Sequence, residues 1–305
     1  VRIVMAGSSG FLGRKLTERL RADGHQVIRL VRHPARSADE VSWQAARAPL
    51  DPAVVAGADA VINLAGSPLG MRLGPVSLPV RRWSAAYRRT FRASRVGSTA
   101  VLARAIATAD PKPAIFLSGS AVGWYGDTGD TEVDERAPAG EEYFAVTARD
   151  WEAATTPAEA AGVRVVRLRT GFPLHRDGGL LGPQLLPFRL GLGGKLGNGH
   201  QWQPFISLDD WLSAAMFLLD HDVSGPVNMV GPHPVTNAEF THTLGRMLHR
   251  PTVMPIPAPL LRALLGEFGK DALASRRVIP RTLLDAGFTF QHPDVESMLH
   301  AALDQ

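Results

Sequence analysis

Three short stretches hold the residues whose types and spacing suit chemistry. Gly7-Ser8-Ser9-Gly10-Phe11-Leu12-Gly13 is a G-x-x-G-x-x-G turn lying between the apolar run Arg2-Ile3-Val4-Met5-Ala6 and a segment with helical spacing at Leu12, Leu16 and Leu20. Glycines there let the backbone turn tightly and approach a pyrophosphate, and the amides of a helix N-terminus favour negative charge. Arg29-Leu30-Val31-Arg32 ends the next β-branched run, with Arg32 standing 19 residues past Gly13. An acid at this point would accept hydrogen bonds from the adenosine ribose of NAD. A guanidinium instead pairs with a 2′-phosphate, so Val31 and Arg32 point to NADP(H). The third stretch, Ser118-Gly119-Ser120-Ala121-Val122-Gly123-Trp124-Tyr125-Gly126-Asp127, holds Tyr125. A phenol with a pKa near ~10 can serve as a general acid when its neighbours help.

The elements that must position these residues alternate. Apolar runs at 2–6, 26–31, 59–66, 114–118 and 163–168 read as strands, and 11–22, 84–109 and 143–161 read as helices. Runs without polar alternation suit strands covered on both faces, and the β-α rhythm predicts right-handed crossovers and a doubly wound parallel α/β sheet of Rossmann type. The third run ends in Asn63-Leu64-Ala65-Gly66, where small residues let a nucleotide lie against the carboxyl edge of the sheet; Leu64, Ala65 and Gly66 are therefore assigned to the cofactor. After about residue 170 the rhythm changes. The glycine-rich stretch 178–199 reads as a long loop, 209–219 and 237–248 as helices, 226–230 as a strand, and the remainder as short helices broken by prolines. The expected organisation is an NADP-binding domain over 1–170 and a smaller C-terminal α/β substrate lobe over 171–305, with strands free to interleave.

Composition narrows the function. The 305 residues are 45% hydrophobic and 20% charged, which suits a soluble globular chain with a sizeable core. Net charge is only +4, so nucleic acid is not an expected partner. The nearest basic stripe, Arg81, Arg82, Arg88, Arg89, Arg92 and Arg95, puts Arg88, Arg92 and Arg95 on one helix face. An anion site explains Arg95, and solvated surface or a subunit contact explains the rest. With no cysteine, thiolate catalysis, disulfides and cysteine-ligated zinc are excluded. Ten scattered histidines suggest no metal site, and the Gly-x-Ser-x-Gly, Gly-x-x-x-x-Gly-Lys and His-Glu-x-x-His motifs do not occur. No run approaches the roughly 18 apolar residues of a spanning helix, so no membrane partner is expected and a cytoplasmic location is.

Further markers are Ser94-Arg95, Leu168-Arg169-Thr170-Gly171, the run Pro187 to Gln201, Ile206-Ser207-Leu208-Asp209-Asp210 and the tail Pro280 to Phe290. With Asn63 to Gly66 and Ser118 to Asp127, they make the chain resemble the extended or atypical short-chain dehydrogenase/reductase superfamily. Within it the chain is similar from end to end to the nucleoside-diphosphate-sugar epimerase-like group. The resemblance implies that Ser120 polarises a carbonyl or hydroxyl beside the nicotinamide, that Arg95 reaches the cofactor from a long helix, and that Ser118 lines its site. It also implies a Tyr-x-x-x-Lys proton relay, and here the sequence departs: aligning on Trp151-Glu152 puts Phe144 and Ala148 at those positions. The expected catalytic residues are thus Ser120, with Tyr125 as substitute acid. The first expectation is an NADP(H)-dependent oxidoreductase for a small carbonyl or alcohol, as monomer or homodimer. The rivals are a sugar-nucleotide epimerase, disfavoured by Arg32 and the missing tyrosine pair, and a non-catalytic NADPH sensor.

Overall fold

A computed structural model describes residues 1–45, 48–68, 71–73, 76–78 and 84–304. Seven strands form one sheet: β1 (Arg2–Ala6), β2 (Gln26–Val31), β3 (Glu40–Ser42), β4 (Ala60–Asn63), β5 (Ile115–Ala121), β6 (Arg164–Thr170) and β7 (Gly225–Met229). Their order across the sheet is β7-β6-β5-β4-β1-β2-β3, and every pairing is parallel. The order reverses between β1 and β4, and that is where a doubly wound sheet opens a crevice beyond its carboxyl ends. The Rossmann-type fold anticipated from the β-α rhythm is present.

Alternation along each strand feeds two cores. Ile3, Met5, Ile62, Leu117, Leu168 and Met229 face α1 (Phe11–Ala22) and a helix that contributes Trp211, Ala214 and Leu218. Val4, Val61, Phe116 and Val165 face α2 (Ala85–Thr108), which brings Leu102, Ala103 and Ile106. These strands read as unbroken apolar runs because both faces are dry. The expected helix over 143–161 is two, α3 (Tyr143–Ala153) and α4 (Thr156–Ala160). Pro157 lies in the first turn of the second, where its missing N–H costs nothing.

A separate apolar core joins Leu174, Leu181, Leu185, Phe188, Phe205, Phe240, Leu244 and Leu299. The stretch 178–199 expected as loop contains α5 (Gly182–Arg189), because Leu185 and Phe188 have this core to bury against. Next come α6 (Leu208–Asp220), α7 (Asn237–Met247), α8 (Ala258–Leu265), α9 (Glu267–Leu273), α10 (Arg281–Asp285) and α11 (Val295–Leu303). The line drawn at residue 170 is crossed, since α6 and β7 belong to the large sheet and its core.

Candidate functional site

The glycine turn sits over the β1–β4 crevice. Gly7 has φ +86°, and a Cβ there would lie 2.6 Å from the Ala65 amide nitrogen, so the turn is pressed onto the end of β4. A Cβ on Gly13 would run into the carbonyl oxygen of Gly7, and Gly10 N donates to that same carbonyl at 3.0 Å. Gly10 caps α1 without a side-chain hydrogen bond, and no acid stands in the first helical turn. The first amides of α1 therefore have neither a side-chain cap from Gly10 nor a first-turn acid beside them.

Arg32 lies two residues past the rung Ala6–Leu30, exposed beside the turn. The acids just beyond it are committed elsewhere: Asp39 to Arg29 and Arg21, Glu40 to Arg29 at 2.9 Å. Arg32 has no carboxylate partner among the described residues. On the other side of the crevice Arg95 lies flat over Gly66, 3.0 Å from where a Cβ would be. Its guanidinium stands 3.6 Å from the Phe91 ring and 5.3 Å from that of Trp151, and it donates to the Ser67 carbonyl at 3.1 Å. Burial pulls its pKa down to about 10, against the raising influence of Tyr87 and Tyr143. It too has no carboxylate partner among the described residues. Arg92, expected on the same helix face, pairs instead with Asp150 at 2.7 Å. Arg81 and Arg82 lie outside the described residues.

Asn63 and Ser118 stand opposite one another at the sheet edge. Asn63 donates to Thr99 Oγ1 at 2.8 Å and accepts from the Ala65 amide at 3.1 Å, which fixes the backbone of Leu64-Ala65-Gly66.

Ser120 and Tyr125 belong to one buried network. Ser120 Oγ donates to Glu152 Oε1 at 2.6 Å. Arg169 grips Glu152 with both arms, Nε to Oε1 at 2.8 Å and Nη2 to Oε2 at 3.0 Å. Arg169 Nη1 also donates to the Tyr125 hydroxyl at 3.0 Å, and that hydroxyl donates to Asn228 Oδ1 at 2.7 Å. Trp124 covers the guanidinium, 3.8 Å from its ring centre. Burial pushes the Tyr125 phenol up to about 12, with Arg169 and Asn228 opposing. Burial would pull Arg169 down, but the bonds to Glu152 and the neighbouring Tyr125 outweigh it and the net shift is up. Glu135 is raised by burial although it accepts from the Asn228 and Thr282 amides.

Phe144 and Ala148 occupy the two relay positions. The Phe144 ring packs edge-on to Phe91, Tyr143 and Phe268, with its Cβ against Gly123, and Ala148 is buried. Glu152, Arg169, Asn228 and Glu135 were not anticipated as chemical residues. A signal existed: Arg169 stands in the apolar strand VVRLRT, and a buried arginine requires an acid. The glycine segment 191–201 is bonded to the stretch before α8, with Met254 N donating to Gly193 O and Ile256 N to Lys195 O. Among the described residues no cluster of His, Cys, Asp or Glu suits a metal, and no helix is long and apolar enough to cross a membrane.

Residues 3–231 match the NAD dependent epimerase/dehydratase family. The chain belongs to that family. Residues 256–302 match a domain of unknown function, DUF1731, which places a recognised tail behind the epimerase/dehydratase unit. Epimerase family protein Mb2239 of Mycobacterium bovis is 42% identical over 299 residues, 97% of this chain and 96% of that one. The crystal structure of human epimerase family protein SDR39U1 with NADPH superposes with a TM-score of 0.89 at 33% identity, covering 100% of both chains. UDP-glucuronic acid 4-epimerase of Bacillus cereus, in complex with NAD, shares the fold at TM-score 0.72 and 15% identity, covering 100% of this chain and 98% of that one. The extended short-chain dehydrogenase/reductase resemblance is thereby established, tail included.

Proposed function

We propose that this epimerase/dehydratase-family chain binds NADPH and acts as an NADP(H)-dependent oxidoreductase on a small carbonyl or alcohol. The observation that carries the reading is Arg95, a half-buried cation over Gly66 with no carboxylate partner among the described residues. A buried charge is costly until an anion meets it. The human relative crystallised with NADPH supports the same cofactor. In this reading the amides of Gly7 to Gly13 hold the pyrophosphate, Val31 and Arg32 the phosphorylated ribose, and Leu64 to Gly66, Arg95 and Ser118 the remainder. Bound NADPH supplies a hydride to a carbonyl carbon. We also assign 1–170 with α6 and β7 to the cofactor unit and the other residues past 170 to a substrate lobe.

Ser120 sets the terms of proton movement. With its hydrogen on Glu152, its oxygen is free to accept a hydrogen bond from a substrate hydroxyl. To donate to a carbonyl it must rotate away from Glu152, which keeps both bonds from Arg169. Tyr125 is the weaker choice as acid, because its hydroxyl is already bonded on both sides and burial raises its pKa.

Titrating NADPH and NADH against wild type and Arg32→Ala tests the cofactor. Losing a charge-assisted bond contributes roughly 1.5–3 kcal/mol, so NADPH should weaken about ten- to a hundredfold. NADH should barely move; equal loss for both removes Arg32 from the 2′-phosphate. Absorbance at 340 nm with a panel of carbonyl compounds tests the chemistry. Ser120→Ala should cut turnover on the order of 10²-fold while NADPH affinity holds. A rate that survives Ser120→Ala removes Ser120 from the mechanism, whereas no turnover at all favours the NADPH-sensor reading, which the Phe144 and Ala148 replacements support.

A further inference from the structure

Nine large apolar residues are left exposed among the described residues, and six of them stand on two short segments. Leu186, Leu190 and Leu192 lie on and just after α5, and Val253, Met254 and Ile256 precede α8. The two segments run side by side. Arg250 Nε donates to the Arg189 carbonyl at 2.7 Å, Met254 N to Gly193 O at 3.3 Å and Ile256 N to Lys195 O at 2.9 Å. A seventh, Leu260, follows on the exposed side of α8 at 48% exposure. Scattered exposed leucines need no explanation, but a contiguous set on a soluble chain marks a contact surface.

Charge says what kind of surface. No Asp or Glu occurs between Asp177 and Asp209, nor between Glu239 and Glu267. Arg189, Lys195, Arg250 and Arg262 are exposed around the apolar residues, and none has a carboxylate partner among the described residues. A second copy docked here about a two-fold axis would bring these cations against their own images with no acid to separate them. The exposed apolar set contains no Trp, Tyr or Phe, which usually anchor a protein partner. Aliphatic side chains ringed by cations instead match an anionic lipid surface, where the chains enter the acyl boundary and the cations stay among phosphates.

We infer that this face, formed by 186–195 and 250–262, docks the protein peripherally on an anionic phospholipid bilayer. The sequence expectation of no membrane partner rested on spanning helices, and a surface-lying face leaves no such trace. Neither the cofactor cleft nor Ser120 enters this argument, so it stands or falls apart from the proposed function.

Flotation with vesicles of phosphatidylcholine, with and without phosphatidylglycerol, tests it on the full chain. At low salt at least about ten times more protein should float with the anionic vesicles, and added salt should reverse the difference. Neutralising one cation, as Lys195→Gln or Arg262→Gln, should weaken binding about fivefold each. Val253→Asp with Met254→Asp should abolish flotation at an unchanged melting temperature. If that pair melts early, Val253→Ser with Met254→Ser takes its place in the same comparison. Equal flotation with both vesicle types, no flotation, or flotation that survives the paired variant overturns the inference. So does a dimer in sedimentation equilibrium that Met254→Asp dissolves, which would give the face to a second copy.

Discussion

At the β1–β4 crevice, Arg32 and Arg95 have no carboxylate partner among the described residues, and the first turn of α1 is uncapped by any side chain. At the β5–β6 end the polar groups have found each other: Ser120, Glu152, Arg169, Tyr125 and Asn228 form one bonded series. The two regions are neighbours on one sheet edge, yet the first leaves donors for a ligand and the second spends them on itself. Unspent buried charge marks where an anion belongs, whereas a closed network fixes geometry and leaves little free acid or base. The positions of the relay expected from the resemblance hold Phe144 and Ala148, which carry no proton. The cofactor half is thus the better supported part of the proposed function.

The largest effect should come from filling the glycine turn. Gly13→Val places carbon where the Gly7 carbonyl oxygen stands, so the turn must open or α1 must shift. NADPH affinity in a fluorescence titration should fall beyond a hundredfold, more than any single side-chain loss at either end of the sheet. Retained affinity would mean that the turn is a structural corner and the cofactor lies elsewhere.

Arg169 and Arg95 sharpen the contrast. Arg169→Met leaves Glu152 buried without its partner, a loss of about 3–5 kcal/mol where one member of a buried pair is removed. Arg95→Met removes a half-buried cation with no carboxylate partner among the described residues, so urea unfolding without cofactor should change little or show a gain. NADPH binding should respond in the opposite order, weakened strongly by Arg95→Met. If Arg95→Met destabilises the apoprotein as much as Arg169→Met does, the two ends are not different in kind.

Most of the first region was legible in sequence, because glycine spacing after a strand and an arginine at the next strand end are local signals. Gly7 and Gly13 stand in the turn between β1 and α1, and Arg32 directly follows β2. The second region was not, because its logic is long-range: Tyr125 meets Asn228 across 103 positions and Ser120 meets Glu152 across 32. Ser120 and Tyr125 were read as the catalytic serine and substitute acid, and only packing shows the partners that both already have. The stretch 178–199 misled for a related reason. Its glycines signal loop locally, while Leu185 and Phe188 form a helix only because Phe205 and Phe240 offer them a core.

The smallest expected change, and the most particular, concerns Tyr125. Replacing it by phenylalanine keeps the ring but strips the partner from Asn228 Oδ1 and one from Arg169, a loss of about 1–3 kcal/mol at neutral pH. The pH dependence then separates this hydroxyl from generic packing. An unfolded tyrosine ionises near ~10, while burial holds folded Tyr125 up to about 12. Below the lower value both states keep the proton and the hydroxyl contributes fully. Between the two values the unfolded chain gives up its proton while the folded chain retains it, so unfolding is favoured as pH rises. The stability gap between wild type and Tyr125→Phe should therefore be constant up to about pH 9 and shrink steadily between ~10 and ~12. Urea unfolding of the two proteins across that range measures it. A gap that stays constant to the alkaline limit would show that the Tyr125 hydroxyl is solvated and free, returning it to the list of acids available to a substrate.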